Sequence, residues 1–335
     1  MTAYIIRRIL WLIPLLWAVA TLTFFLMHLV PGGPFDVQEK LPPATREALE
    51  RRYHLDDPVP EQYLRYLGLH PSNPFGEGLL RITGTPPFLS PDLGTSFTQN
   101  RDVSEIISSG FKVSAQLGLA AFLFAVIGGM TLGILSALNR NKIADYVGVF
   151  FATLGAAVPS FVVATIGVLI FSVELGWFDV LGWGGPAWTQ IWNPFAWDWN
   201  KVVLPTVSLG LLPAAFIARI TRASMLEVLG QDYIRTARAK GLGETIIVVR
   251  HVVKNSLIPV LTVAGPIFAA LVTGSFIIER IFQINGIGRP FVDAVFRRDY
   301  GVIMGTTIFY ASVVAFANLI VDLLYAAVDP RIRYS

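Results

Sequence analysis

The chain has 335 residues, 54% of them hydrophobic and 15% charged, with 26 Lys and Arg against 23 Asp and Glu. Soluble domains carry about 25% charged residues, so this balance excludes an ordinary water-soluble fold and indicates an integral membrane protein. The absence of cysteine excludes disulfides and thiolate chemistry, and a net charge of +3 without sustained aromatic-basic interleaving gives no footprint for nucleic acid.

In chain order, six apolar stretches near 9–30, 113–138, 144–173, 202–221, 256–278 and 302–328 are long enough to cross a bilayer, which takes about 20 residues of helix. An all-α protein with six transmembrane helices is therefore expected. Arg7 and Arg8 precede the first stretch, which ends in Pro31-Gly32-Gly33-Pro34 without a small-residue cleavage site. It reads as a retained span and not as a signal peptide. Residues 31–112 read as an ordered cap segment. Short helices are expected at 44–53 and 59–67, the second with Asp57 as N-cap and Pro58 at the first helical position. Asp102 can cap a further stretch, 103–111, whose Val103, Ile106 and Ile107 share one face suited to the membrane surface.

The second span contains Gly129-Met-Thr-Leu-Gly133, small residues that let helix backbones approach closely, within one bundle more simply than between two chains. Prolines fall inside spans at Pro159, Pro205, Pro213 and Pro266. Each removes a backbone hydrogen bond, which fits either kinked helices around a polar path or ordinary curvature. Six of the eight tryptophans lie in 177–199, as an interfacial belt or as the apolar lining of an outer vestibule or docked partner.

Lys and Arg near span ends favour the cytoplasm. With the N-terminus inside, the inner segments hold thirteen such residues and the short outer loops five, namely Lys201, Arg280, Arg289, Arg297 and Arg298. Both termini are then cytoplasmic and the 31–112 segment, with its acidic excess, is extracytoplasmic. The organisation expected is a first helix with its cytoplasmic tip over 1–30, an extracytoplasmic cap over 31–112, and a five-helix core over 113–335.

Little in the chain can carry chemistry. No lysine follows a glycine and precedes Ser or Thr, so no P-loop is present. His28, His54, His70 and His251 are scattered without metal-ligand spacing, and no G-x-S-x-G occurs. His28 and Asp322, each near a span end, are the ionisable residues noted inside spans. What remains is a basic helix near 232–242. Ala237 and Gly241, four apart, are expected to share a helix face and form a notch, with Arg235, Arg238 and Lys240 around it. Anionic lipid headgroups are a simpler partner for those cations; the small-residue face favours a fitted protein.

Tyr233-Ile234-Arg235-Thr-Ala237-Arg238-Ala-Lys240-Gly241-Leu242, followed by Arg250-His251 and Asn255-Ser-Leu-Ile-Pro259, resembles the coupling region of the membrane subunits of ATP-binding-cassette peptide importers. The likeness runs almost end to end, through Arg7-Arg8 with Pro14, Tyr53-His-Leu-Asp-Asp-Pro58, Asp92-Leu-Gly94, residues 218–229, Arg298-Asp-Tyr300 and Asp329-Pro-Arg331. It is nearest the oligopeptide branch of the B-type subunits, with dipeptide, glutathione and nickel permeases as near relatives. Against the broad E-A-A-x-x-x-G importer signature, Arg235 and Thr236 stand where Glu and the first Ala would be, while Ala237 and Gly241 match. Gln283-Ile-Asn-Gly-Ile-Gly-Arg289 resembles the family's P-G-I-G element with Asn285 in place of Pro, leaving Gly286 and Gly288 to shape an external turn.

The resemblance implies the type I ABC importer permease fold. This chain would pair with a second homologous permease subunit, above two cytoplasmic ATPase domains or subunits and below an extracytoplasmic solute-binding protein, in a bacterial or archaeal cytoplasmic (inner) membrane with its lipid. Residues 233–242 would transmit ATPase movement to the spans. The chain would be non-catalytic and bind no cofactor, ATP and Mg sitting on the partner ATPases. Peptide is the leading solute, with nickel complexes, glutathione or sugars as alternatives. A stand-alone secondary transporter or a membrane enzyme are the competing classes, and the former would more often show internal repeats and charged, interrupted helices at mid-membrane.

Overall fold

The computed structural model of the chain describes residues 2–36, 42–69 and 93–328, with side chains over 6–36, 42–69 and 93–320. Among these residues every regular element is helical, apart from an isolated bridge between Thr95 and Asp102. Five helices are long and apolar enough to cross a membrane, over Ile6–Leu29, Val103–Leu138, Trp199–Leu229, Glu244–Ile281 and Tyr300–Ile320. A sixth span is formed by two helices, Ile143–Ala157 and Ser160–Glu174, if their bent pair is counted as one. All-helical spans are what a bilayer demands, because only intra-segment hydrogen bonds can satisfy the backbone there.

The bend in that pair is 103°, where the sequence reading expects one continuous stretch over 144–173. Pro159 is the cause. The ring of a proline disfavours the helical region for the residue before it, and Val158 is accordingly extended, at φ −92° and ψ 122°. Pro205 and Pro213 sit inside an unbroken helix, as do Pro259 and Pro266.

The chain divides into two compact units, Thr2–Gly110 with Arg289–Ser312, and Phe111–Gly288 with Val313–Ser335. In the first, α1 (Thr2–Leu29) is followed by α2 (Pro43–Arg52) and α3 (Val59–Leu67). Thr21 and Tyr63 hydroxyls meet at 2.6 Å, and Phe24 stacks on Tyr66. His28 bridges the backbone oxygen of Phe24 and the Gln62 side chain, so it ties α1 to α3. Asp57 does not cap α3 as expected. Pro58 occupies the N-cap, and the Asp57 carboxylate accepts from Arg65 at 3.0 Å. The 103–111 stretch is not a separate surface helix but the start of α4 (Val103–Leu138), and Val103, Ile106 and Ile107 are buried. Gly305 leaves room for Val103 and Ile107, so that apolar face packs against protein. The side chains of Asp92, Asp322, Asp329 and Arg331 lie outside the described residues.

The second unit holds the rest of α4, then α5 (Ile143–Ala157), α6 (Ser160–Gly167) continued by a π segment over Val168–Glu174, and α7 (Trp199–Leu229). After α8 (Asp232–Ala239) come α9 (Glu244–Ile246), a second π segment over Ile247–Val253, α10 (Lys254–Val272) and α11 (Phe276–Ile281). The small-residue pair on α4 works inside the bundle. A Cβ on Gly129 would lie 2.5 Å from the carbonyl oxygen of Ala214, and one on Gly133 2.6 Å from that of Ala218. Both oxygens belong to α7, so the two backbones touch where no larger residue fits. The α12 helix (Gly288–Arg297) and α13 (Tyr300–Val328) complete the chain.

Candidate functional site

The basic helix is real but shorter than the sequence suggests. α8 covers Asp232–Ala239, with Lys240 at the C-cap and Gly241 left-handed at φ +78°. The Leu242 amide donates to the Ala237 oxygen and the Gly241 amide to the Arg238 oxygen, the two bonds of a Schellman motif. Gly241 is therefore outside the helix and shares no face with Ala237.

The expected notch is absent for a second reason. Ile234 and Ala237 point inward and are buried with Ala137, Met225, Ile247 and Val252. Complete burial of Ile234 contributes about 2 kcal/mol to seating α8 on the bundle. The outward face carries Tyr233, Arg235, Arg238 and Lys240, and Leu242 follows the cap, all exposed. A Cβ on Gly241 would meet nothing within 4 Å. Arg238 is partly engaged, donating to Glu244 at 2.7 Å, and that carboxylate raises the guanidinium pKa above its ordinary value. Tyr233 accepts from the Asn255 amide at 3.0 Å, which ties α8 to α10.

Beneath this helix the α9–α10 rod contains the seven-residue π segment Ile247–Val253, including Arg250 and His251. Nearby ends of α4, α5 and α7 are joined by a cluster that the sequence reading missed. Arg222 donates to both oxygens of Asp145, at 2.7 and 2.8 Å, and Ser136 donates to the same carboxylate. Asp145 is 3% exposed. The available signal was a single acid opening an apolar span, which in a membrane implies a partner, but the partner is far away in sequence.

The external turn also behaves differently from expectation. Gly286 and Gly288 are not left-handed; that conformation falls on Gln283 at φ +50°. The glycines leave space for Glu279, which is fully buried and accepts from Ser114 at 2.7 Å. Ser114 in turn accepts from the Ile287 amide at 2.8 Å. Asp299, within the Arg298-Asp-Tyr300 motif, accepts from Ser96, Thr98 and the Phe97 amide and caps α13 through the Val302 amide. Of the clustered tryptophans, Trp183, Trp197 and Trp199 bond through their indole N–H within the chain, while Trp177 and Trp192 are exposed.

Comparison with known proteins covers the whole chain. The family described as "Binding-protein-dependent transport system inner membrane component" matches residues 129–334, and the N-terminal component of such membrane proteins matches 1–118. The dipeptide transport system permease protein DppB of Bacillus subtilis is 40% identical over 99% of this chain and 98% of its own length. The oligopeptide transport system permease protein OppB of Escherichia coli K12 is 41% identical over all of both chains. Among solved structures, the inward-facing MetNI methionine ABC transporter superposes with a TM-score of 0.52 at 17% identity, covering 68% of this chain and 97% of that one. A likeness at that identity speaks to the fold alone.

Proposed function

The chain belongs to the binding-protein-dependent transport system inner membrane components, and from that premise we propose that it forms half of the membrane path of an ATP-driven importer of peptides. The companion half is a second permease subunit of similar fold. Two ATPase domains or subunits bind below, and an extracytoplasmic solute-binding protein delivers peptide from above. Peptide is favoured over nickel complexes or glutathione because the relatives matched over their full length are named for dipeptides and oligopeptides.

The observation that carries the reading is α8. It is anchored to the spans by Ile234 and Ala237 while Tyr233, Arg235, Arg238, Lys240 and Leu242 remain presented. A push on that outer face reaches α7 and α10 directly, through the buried cluster and the Tyr233–Asn255 bond. ATP and Mg reside on the partners, and this chain performs no chemistry. The orientation proposed puts both termini and α8 in the cytoplasm, residues 31–112 and the Gly286–Gly288 turn outside, residues 113–335 as the permease core, and the whole in a bacterial or archaeal inner membrane.

The test is hydrolysis and uptake in proteoliposomes. The purified chain alone is expected to hydrolyse no ATP; with its companion subunit, the ATPases and loaded binding protein it is expected to support ATP-dependent peptide uptake. Uptake by this chain alone, driven by an ion gradient, would replace this reading with a secondary transporter.

A further inference from the structure

A cavity of about 400 Å³ lies in the second unit, lined among others by Lys112, Gln116, Trp183, Trp188, Gln283 and Asn285. Its walls come from the start of the α4 span, the loop between the third and fourth spans, and the turn after α11. With the bent α5–α6 pair counted as one span, an odd number of crossings separates each of these three segments from α8, which puts them together on one side of the membrane. The cavity therefore opens on the face opposite the coupling helix.

Its walls are fixed. Gln116 is 4% exposed, and its amide donates to the Pro186 oxygen at 2.7 Å and accepts from the Trp183 indole at 2.9 Å. A side chain on Gly185 would overlap that indole and amide. The turn is held from below by Ser114, which bonds both Glu279 and the Ile287 amide.

The chemistry presented is specific. Among the described residues Lys112 is the one charged residue lining the cavity, and it makes no ion pair with any of them. Gln283 and Asn285 are exposed and offer carboxamides that can both donate and accept. Trp183 and Trp188 add apolar surface with indole edges. A cation, two free amides and aromatic surface, with no acidic residue among the described residues of the lining, match a ligand that ends in a carboxylate and carries amides beside it. The volume is that of a small-ligand pocket.

We infer that this cavity is a subsite for the C-terminal carboxylate and last peptide bonds of a peptide entering the path, with Lys112 pairing the carboxylate and Gln283 and Asn285 reading the backbone amides. The inference rests on the proposed peptide substrate. It adds a residue-level selection for free C-termini within the membrane subunit itself.

The experiment uses the complete complex in proteoliposomes and one labelled peptide in two forms, free acid and C-terminal amide. The binding protein's affinity for each form is measured separately, so that uptake is compared at matched occupancy. The expected result is faster uptake of the acid by about tenfold, the scale of one charge-assisted hydrogen bond. Lys112→Gln is expected to remove that preference by slowing the acid alone, Lys112→Arg to retain it, and Asn285→Ala to slow both forms. Equal slowing of both forms by Lys112→Gln, or no effect on either, would overturn the subsite. So would an effect confined to vesicles containing anionic lipid, which would assign the ammonium to a headgroup phosphate. Absence of uptake of both forms by the unaltered complex would instead refute the peptide substrate, and the subsite with it.

Discussion

Arg222 on α7 grips Asp145 on α5 through two hydrogen bonds, 2.7 and 2.8 Å long, beside the Ser136 hydroxyl of α4. Three spans are thereby locked together at the end of the bundle where α8 is attached. Removing Arg222 leaves the Asp145 carboxylate buried without its counter-charge, which costs about 3–5 kcal/mol. Removing Asp145 costs less, because Arg222 is only partly buried and keeps its bond to Ser136, and removing both can be far milder than removing Arg222 alone. Arg222→Gln is expected to lower the melting temperature of the detergent-solubilised subunit by several degrees, Asp145→Asn to lower it less, and the double variant to recover much of the Arg222→Gln loss. Additive losses in the double variant would show that the two side chains are not coupled.

Gly241 separates backbone strain from partner contact. At φ +78° any side chain is strained by about 1–2 kcal/mol, yet a Cβ there meets nothing in this chain. Gly241→Ala and Gly241→Leu are therefore expected to destabilise the isolated subunit equally, with Gly241→Asn milder. In the assembled complex Leu is expected to weaken ATPase pull-down well beyond Ala, because only there is the open space filled. Equal effects of Ala and Leu on assembly would mean that no partner surface covers this cap.

Gly286 tests the buried carboxylate. A Cβ at this position would overlap the Glu279 carboxyl and the Ser114 hydroxyl, so Gly286→Ala is expected to cost about 1–3 kcal/mol by overpacking. Gly243→Ala, where a Cβ meets nothing, is the control and is expected to be near neutral. Indistinguishable thermal stability of the two variants would refute the close approach.

Orientation can be read by labelling, since the chain has no native cysteine. Gln62→Cys and Trp188→Cys are expected to react with an impermeant maleimide in intact cells, and Lys240→Cys and Ser335→Cys only after the membrane is opened. Labelling of position 240 from outside would invert the proposed topology.

Much of this arrangement is legible in the sequence because the bilayer imposes it. Hydropathy alone places the six apolar stretches, and Gly129 and Gly133 announce a close helix contact. The end of α8 was also encoded, by Gly241 following a cationic last turn, but the i, i+4 spacing of Ala237 and Gly241 suggested a shared face instead. The bend at Pro159 was not separable from Pro205, Pro213, Pro259 or Pro266, since proline chemistry is identical at all five and only packing decides which helix breaks. Pairings such as Arg222 with Asp145 and Ser114 with Glu279 join residues 77 and 165 positions apart, and no local pattern encodes them.

The most direct test of the coupling role is cross-linking from α8 to the ATPase. Single cysteines at Arg235→Cys and Lys240→Cys, in inverted vesicles holding the whole complex, are to be labelled with a maleimide carrying a photoactivatable group and irradiated, with Trp192→Cys, exposed and on the proposed orientation outside the membrane, as the control. The expected result is capture of the ATPase subunit from 235 and 240, with a yield that changes between nucleotide-free and ATP-bound states, and none from 192. Capture from 192 alone, or no capture from α8 in vesicles that still take up peptide at the expense of ATP, would contradict the placement of the coupling interface on this helix.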